Sequence, residues 1–175
     1  MSGREEPQLS IKARMLAELG QEMATTRRLL ERVPEKRAAW QPHPKSKTLG
    51  ELAVHLARIP GWIASVADVP SFDMAPPGGR PPDPVFESTA RLLQTFDDNV
   101  AAVRSALART SEDDLATPWT MQRGGKDMLR ITRADLFRVL LLNHMIHHRG
   151  QLTVYLRLND VPLPIVYGRT ADEQP

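Results

Sequence analysis

Apolar positions recur with the 3.6-residue period of amphipathic helices in four long stretches, and the helix breakers fall between them. The first covers residues 8–33, with Leu9, Leu16, Leu19, Met23 and Leu30 along one side. Pro34 ends it, because the residue before a proline is pushed out of the helical region. The second opens at Thr48-Leu49-Gly50-Glu51, a capping box in which the hydroxyl and the carboxylate each satisfy a free amide. Its face is Leu49, Leu52, Leu56, Ile59 and Ile63, and Pro60-Gly61 is expected to kink or interrupt it. The third begins between residues 83 and 88 and reaches about residue 109, lined by Leu92, Phe96, Val100, Val103 and Leu107. The fourth starts at Thr132, where Thr132 and Asp135 repeat the capping box with aspartate. It runs through Leu136, Leu140, His144, Gln151 and Tyr155 to about residue 159.

The connectors differ in kind. Residues 34–47 hold three prolines and are too polar for a buried element. Residues 69–83 are rich in proline and glycine and read as an extended surface crossover, or a lid. Residues 118–131 fit a short hairpin, Trp119-Thr120-Met121 against Met128-Leu129-Arg130-Ile131, turning at Gly124-Gly125. Four amphipathic helices with long first and third connections predict an all-α, four-helix-bundle architecture. It carries long crossover loops, a short hairpin precedes the last helix, and residues 1–175 form one domain.

Composition narrows the chemistry by exclusion. With 41% apolar and 25% charged residues the chain is an ordinary globular mix, and no run approaches the ~18 apolar residues of a membrane helix. The first ten residues lack the apolar core of a secretory signal, so a cytoplasmic location is expected. The 23 basic and 21 acidic residues are spread along the chain with no basic block, so neither nucleic acid nor a membrane surface is indicated as a partner. There are no cysteines, which removes disulfides, thiolate nucleophiles and Cys-based zinc sites. Any metal must be held by His, Asp or Glu.

Only five histidines are present, and three of them lie in His144-Met145-Ile146-His147-His148. His144 and His148 are four residues apart, about 40° around a helix and one turn along it, so both imidazoles can reach one cation. His55 sits in the apolar stripe of the second helix and would complete a set of three with open positions for water or substrate. Structural histidines, buried neutral or exposed, are the competing reading of the same spacing. His147 offers an i,i+3 alternative with His144, and stands at the edge of the site. Other templates fail: Met145 occupies the place of a metalloprotease glutamate, no Glu-x-x-His pair occurs, and no nucleophile elbow or phosphate loop appears.

These residues resemble the DinB/YfiT-like superfamily. The resemblance is carried by WQPHPKSKTLGEL (40–52) leading to His55, by NHMIHHRGQL (143–152), and by Val161-Pro162-Leu163-Pro164 with Tyr167-Gly168. It implies a four-helix bundle with a metal site of three histidines, which fall here on His55, His144 and His148. The ion it implies is divalent: zinc, nickel or iron. His43 belongs to the matched segment as a capping or loop-packing residue, outside the ligand set. Some relatives are thiol-dependent transferases or isomerases and others are described as hydrolases. The resemblance therefore implies a small-molecule substrate, a low-molecular-weight thiol as a further cofactor, and a homodimer.

On this reading Gln151, one turn after His148, and Tyr155 line the pocket, and Trp62, two turns after His55, forms its apolar wall. Core packing is the competing role for Trp62 and Tyr155. Arg149 is expected to turn about 100° away from the ligands, toward a neighbouring helix or solvent. Two other readings stand beside the enzyme: a non-catalytic, metal-stabilised bundle acting through partners, and a plain helical bundle without metal.

Overall fold

The computed structural model describes residues 9–174. Gln8 and most of the N-terminal stretch that shows no secretory signal lie outside the described residues. The chain is mainly helical with one small sheet. Helix α1 (Ile11–Leu30) starts where the Ser10 hydroxyl accepts from the Ala13 amide at 3.2 Å. A single 3-10 turn over Glu35–Arg37 follows Pro34 and leads toward helix α2 (Leu49–Val66). There the expected capping box forms in full: Glu51 N–H donates to Thr48 Oγ1 at 3.2 Å, and Thr48 N–H donates to Glu51 Oε2 at 2.8 Å.

Strand β1 (Ser71–Asp73) precedes helix α3 (Thr89–Arg109) and the single turn α4 (Glu112–Leu115). The hairpin of β2 (Pro118–Arg123) and β3 (Lys126–Thr132) pairs Trp119 with Ile131 and Met121 with Leu129. Gly124 and Gly125 turn it, both with positive φ (58° and 76°), as a tight two-residue hairpin loop demands. The sheet goes beyond the expectation of a lone hairpin. Ser71–Asp73 leave the proline-rich crossover to run parallel to β2, and the Asp73 carboxylate accepts from the amides of Ala75, Gly124 and Gly125. Those backbone donors hold its pKa below the ordinary carboxylate value.

The last helical run begins at the Thr132/Asp135 capping box with α5 (Arg133–Asp135), passes through a π-helical segment (Leu136–Asn143) and continues as α6 (His144–Leu158). The π segment corrects the sequence reading. In a π turn the backbone hydrogen bond spans one residue more than in an α turn, so the side-chain phase slips by one position. The buried stripe is Leu136, Phe137, Leu141, Leu142, Met145, Arg149, Leu152 and Leu156; Leu140 and Tyr155 are only half-buried and Gln151 is exposed.

Helix α2 packs against α3 and α6, and α1 against α3 and α6. Trp119 is fully buried and its indole N–H donates to the Val66 carbonyl at 3.2 Å, so the hairpin seals the C-terminal end of α2. Among the described residues no helix is long and apolar enough to cross a membrane.

Pro60 does not break α2, which stays helical from Leu49 to Val66. Asn99 of α3 reaches across at this point and donates its amide to the Ala57 carbonyl at 2.9 Å. A Cβ on Gly61 would overlap that carboxamide. Gly61→Ala is therefore expected to lower stability by about 1–2 kcal/mol despite the better helix propensity of alanine. In Gly61→Ala/Asn99→Ala the removed carboxamide leaves room for the methyl, so the double variant should lose less than the sum of the single ones. Urea unfolding of the four proteins measures this, and strictly additive losses would show that the contact does not limit the site.

Candidate metal centre

Two elements deliver the three histidines. His55 projects from the second turn of α2, placed by the capping box that fixes the start of that helix. His144 is the first residue of α6, directly after the π segment, and His148 follows one turn later. Their donor nitrogens converge. His144 Nε2 lies 3.3 Å from His55 Nε2 and 2.9 Å from His148 Nε2. One nitrogen from each residue falls within a group spanning no more than 4.8 Å.

These spacings can be set against coordination geometry. Two nitrogens bound to one ion at ~2.05 Å stand about 2.9 Å apart at a right angle and about 3.3 Å apart at the tetrahedral angle. His148 Nδ1 lies 2.7 Å from Gln151 Oε1, an acceptor, so the His148 ring carries its proton on that side and presents a bare lone pair at Nε2. His144 Nε2 faces that lone pair at 2.9 Å, where either a ring proton or a shared cation satisfies it. The three rings are a donor set that could hold a metal ion, and neither a carboxylate nor a thiolate belongs to it.

The electrostatics agree. All three imidazoles are half-buried. Burial, and then the neighbouring His148, His144 and Lys47, push His55 down to about 4. Burial is also the main cause that lowers His144 and His148, opposed by the Leu140 carbonyl in one case and by Gln151 in the other. The rings are thus neutral at pH 7, the state in which imidazole binds a metal.

His55 and His144, but not His148, line a cleft of about 970 Å³ that runs between α2 and α3 beneath residues 80–88. The proline-rich crossover is its roof, as a lid would be. Arg58 of α2 ties this roof down through an ion pair with Asp83. A smaller cleft of about 420 Å³ reaches His55 from the side of Lys47. Trp62 lines the large cleft. Its indole Nε1 is buried without a hydrogen-bond partner, alone in that respect among the side chains of the described residues.

The other predicted residues are placed as follows. Gln151 lies outside the large cleft and holds the His148 ring instead. Tyr155 also lies outside it, its ring edge-on to Trp40 at 5.5 Å. His147 is exposed beside His148 and stands outside the convergent group. His43 is exposed in its loop, where its Nδ1 accepts from the Lys45 amide at 3.1 Å.

Arg149 turns toward a neighbouring helix and not to solvent. It is 1% exposed, pairs with Glu22 of α1 at 2.5 Å, and donates to Thr26 Oγ1 and to the Tyr167 hydroxyl. Sequence reasoning missed the wall contributed by Arg58, Phe86, Arg91 and Asn99. Its one available signal was the density of prolines, which marks a stiff crossover but not what lies under it.

The comparisons with known proteins follow this geometry. Two solved structures share the fold. A DinB-like protein, YjoA, from Bacillus subtilis is 19% identical, with a TM-score of 0.65 over 90% of this chain and 99% of that one. A DinB-like protein from Bacillus cereus is 23% identical, with a TM-score of 0.68 over 87% and 95% of the two chains. Among curated proteins no sequence matches. The sequence pattern of the DinB superfamily matches residues 18–152, a span that takes in all three converging histidines, and the chain belongs to that superfamily.

Proposed function

We propose that this chain is a divalent-metal-dependent enzyme whose ion, zinc, nickel or iron, is held by His55, His144 and His148 at the end of the α2/α3 cleft. The observation that supports this most directly is the convergence of three half-buried imidazoles, one nitrogen from each within 4.8 Å of the others and two Nε2 atoms 2.9 Å apart. A divalent cation bound there supplies Lewis acidity, bringing the pKa of a water or small-thiol ligand toward neutrality. Hydrolysis and thiol transfer or isomerisation are the reaction classes this serves. The chain has no cysteine, so a reacting thiol comes from a bound small molecule.

The protein's own groups have defined tasks. Gln151 fixes the tautomer and ring angle of His148. Burial keeps the three rings neutral. The roof of residues 80–88 limits water access to a small-molecule substrate in the cleft. The same reading takes residues 1–175 as one domain of the four-helix-bundle type, forming a homodimer in the cytoplasm.

A non-catalytic role is the second reading, and one observation favours it: the donors come from α2 and α6, so an ion there would cross-link two helices. The two readings separate on the count of protein ligands, three with an exchangeable position for the enzyme and four or more for a structural site.

Purified protein is expected to carry about one equivalent of divalent metal, and His55→Ala/His148→Ala to carry none; full occupancy in the double variant refutes the assignment. Zinc at a hundred times its Kd should add about 2.7 kcal/mol to stability, readable as a rise in Tm. Gln151→Ala, at an exposed position, should weaken metal binding about 10–100-fold and leave metal-free stability unchanged. Titration by competition with a chelator measures this, and unchanged affinity would deny Gln151 its orienting role.

The metal-free protein should also lose stability as the pH falls. The unfolded chain protonates His55 near pH 6.5, whereas the folded protein does so only near pH 4. Between these values the unfolded state binds more protons, so stability drops as pH is lowered through the window. Thermal melts from pH 7 to pH 4 should show this slope, and His55→Gln should flatten it; an equal slope in the variant would place the cause elsewhere.

A further inference from the structure

The register between α2 and α3 decides which groups stand beside the histidines. Phe86, just before α3, sits on Gly50 at the start of α2, where an added Cβ would come within 2.8 Å of the Phe86 Cβ. Asn99 sits on Ala57 and Gly61 in the middle of both helices. Arg109, the last residue of α3, pairs with Asp68 just beyond α2. The two helices therefore run parallel, side by side. Arg91 stands two turns before Asn99, about 12 Å along the axis, and falls level with the first two turns of α2. His55 projects from those turns. Trp62, and Arg80 held over the Phe72 ring that packs on Trp62, mark the opposite end.

The fold makes no use of the Arg91 charge. Arg91 lines the cleft with His55 and His144, and its side chain takes part in no ion pair or hydrogen bond among the described residues. The first turn of α3 holds no acid, and a cation there opposes the helix dipole. Three acids at this end are engaged elsewhere: Asp83 with Arg58, Glu35 with the Thr89 amide and Glu51 with the Thr48 amide. Glu87 also lines the cleft and forms no ion pair with Arg91. Val54, Phe86 and Leu92 give the same end apolar walls, and Ile59 and the Trp62 ring extend them along the cleft. A free guanidinium at one end of an apolar cleft is a fork for a planar anion.

We propose that the cleft takes an organic carboxylate with an apolar body, the carboxylate at the histidine end facing Arg91 and the body running toward Trp62. One free cation matches the single charge of a carboxylate; a phosphate monoester brings about two. The inference deepens the proposed function and rests on it in taking the histidines as the reacting end. The bond that reacts then lies close to the carboxylate, and Arg91 is the residue that selects for it. Trp62 contributes ring surface and not its nitrogen, which is buried.

Phenylpropanoate and its uncharged analogue phenylpropanol are the probes, titrated into metal-free and zinc-loaded protein and followed by backbone amide NMR signals. Metal-free wild type should bind the carboxylate about three- to tenfold more tightly, as for an exposed arginine fork. Signal differences between the two probes should be largest at Val54 and His55 and small at Trp62. Arg91→Gln, at an exposed position, should remove the preference and leave phenylpropanol binding unchanged, and Arg91→Lys should retain part of it. Arg80→Gln, at the other end of the same cleft, should leave the preference intact, which separates a local contact from the general field. Bound zinc should tighten the carboxylate more than the alcohol, since the ion would lie at the same end.

Equal binding of the probes, or no binding of either, overturns the inference. So does a preference that Arg91→Gln keeps or Arg80→Gln removes, or one centred on Trp62. One equivalent of bound zinc with no preference for the carboxylate overturns it and leaves the metal reading intact. An Arg91-dependent preference in a protein that takes up no zinc supports the ligand class and sinks the metal reading instead.

Discussion

The buried ion pair between Arg149 and Glu22 is the constraint around which the site is arranged. A guanidinium taken out of water costs several kcal/mol unless it is paired and hydrogen-bonded, and Arg149 is both, through Glu22, Thr26 and Tyr167. That leaves one acceptable rotation of α6, with Arg149 toward α1. His148 is the preceding residue, about 100° around the helix, and this rotation turns it toward α2 and His55. The same network binds the chain after α6, because the Tyr167 hydroxyl donates to Glu22 at 2.9 Å while Arg149 lies 4.9 Å from the Tyr167 ring centroid. Exposed pairs farther along, Arg28 with Glu173 and Arg157 with Asp172, add less, since solvent screens them.

The π segment makes that rotation compatible with the capping box at Thr132. At its start, Leu136 and Phe137 are buried; beyond it, Met145, Arg149, Leu152 and Leu156 are. A single α-helical phase does not join these sets, and the slip through Leu136–Asn143 does. Such segments are frequent at functional sites because they re-aim a side chain without breaking the helix. Here the re-aimed residue is His144, the first after the slip, which is the nitrogen common to both close contacts.

Local chemistry explains what could be read from the sequence. Both capping boxes, the glycine turn of the hairpin and the i,i+4 histidine pair are set by residues within a few positions of each other, and all form in the structure. Their partners are fixed by backbone geometry alone. The features that escaped depend on distant chain. Strand β1 has three residues and exists because β2 offers it an edge. The burial of Arg149 depends on Glu22, far away in sequence, and so does the displacement of Leu140, Gln151 and Tyr155 from the core stripe. Likewise, Trp62 was legible as a residue on the His55 face of α2, but that its indole nitrogen is buried without a partner was not.

The donor set and the cleft also fit one another electrostatically. Three neutral imidazoles contribute no charge, so a divalent ion held by them would keep its full formal charge of about two units. A carboxylate ligand in place of one histidine would have lowered both that charge and the acidity it confers. The chain supplies no acid to the cluster; the nearest acid acting on His55, Asp83, is committed to Arg58. Lys47 adds a further positive group on the other side of His55. The approach to the histidines thus sets Arg58, Arg80, Arg91 and Lys47 against Asp83, Glu87 and Glu51, with Asp83 paired to Arg58, and walls of low dielectric carry such a field along the cleft.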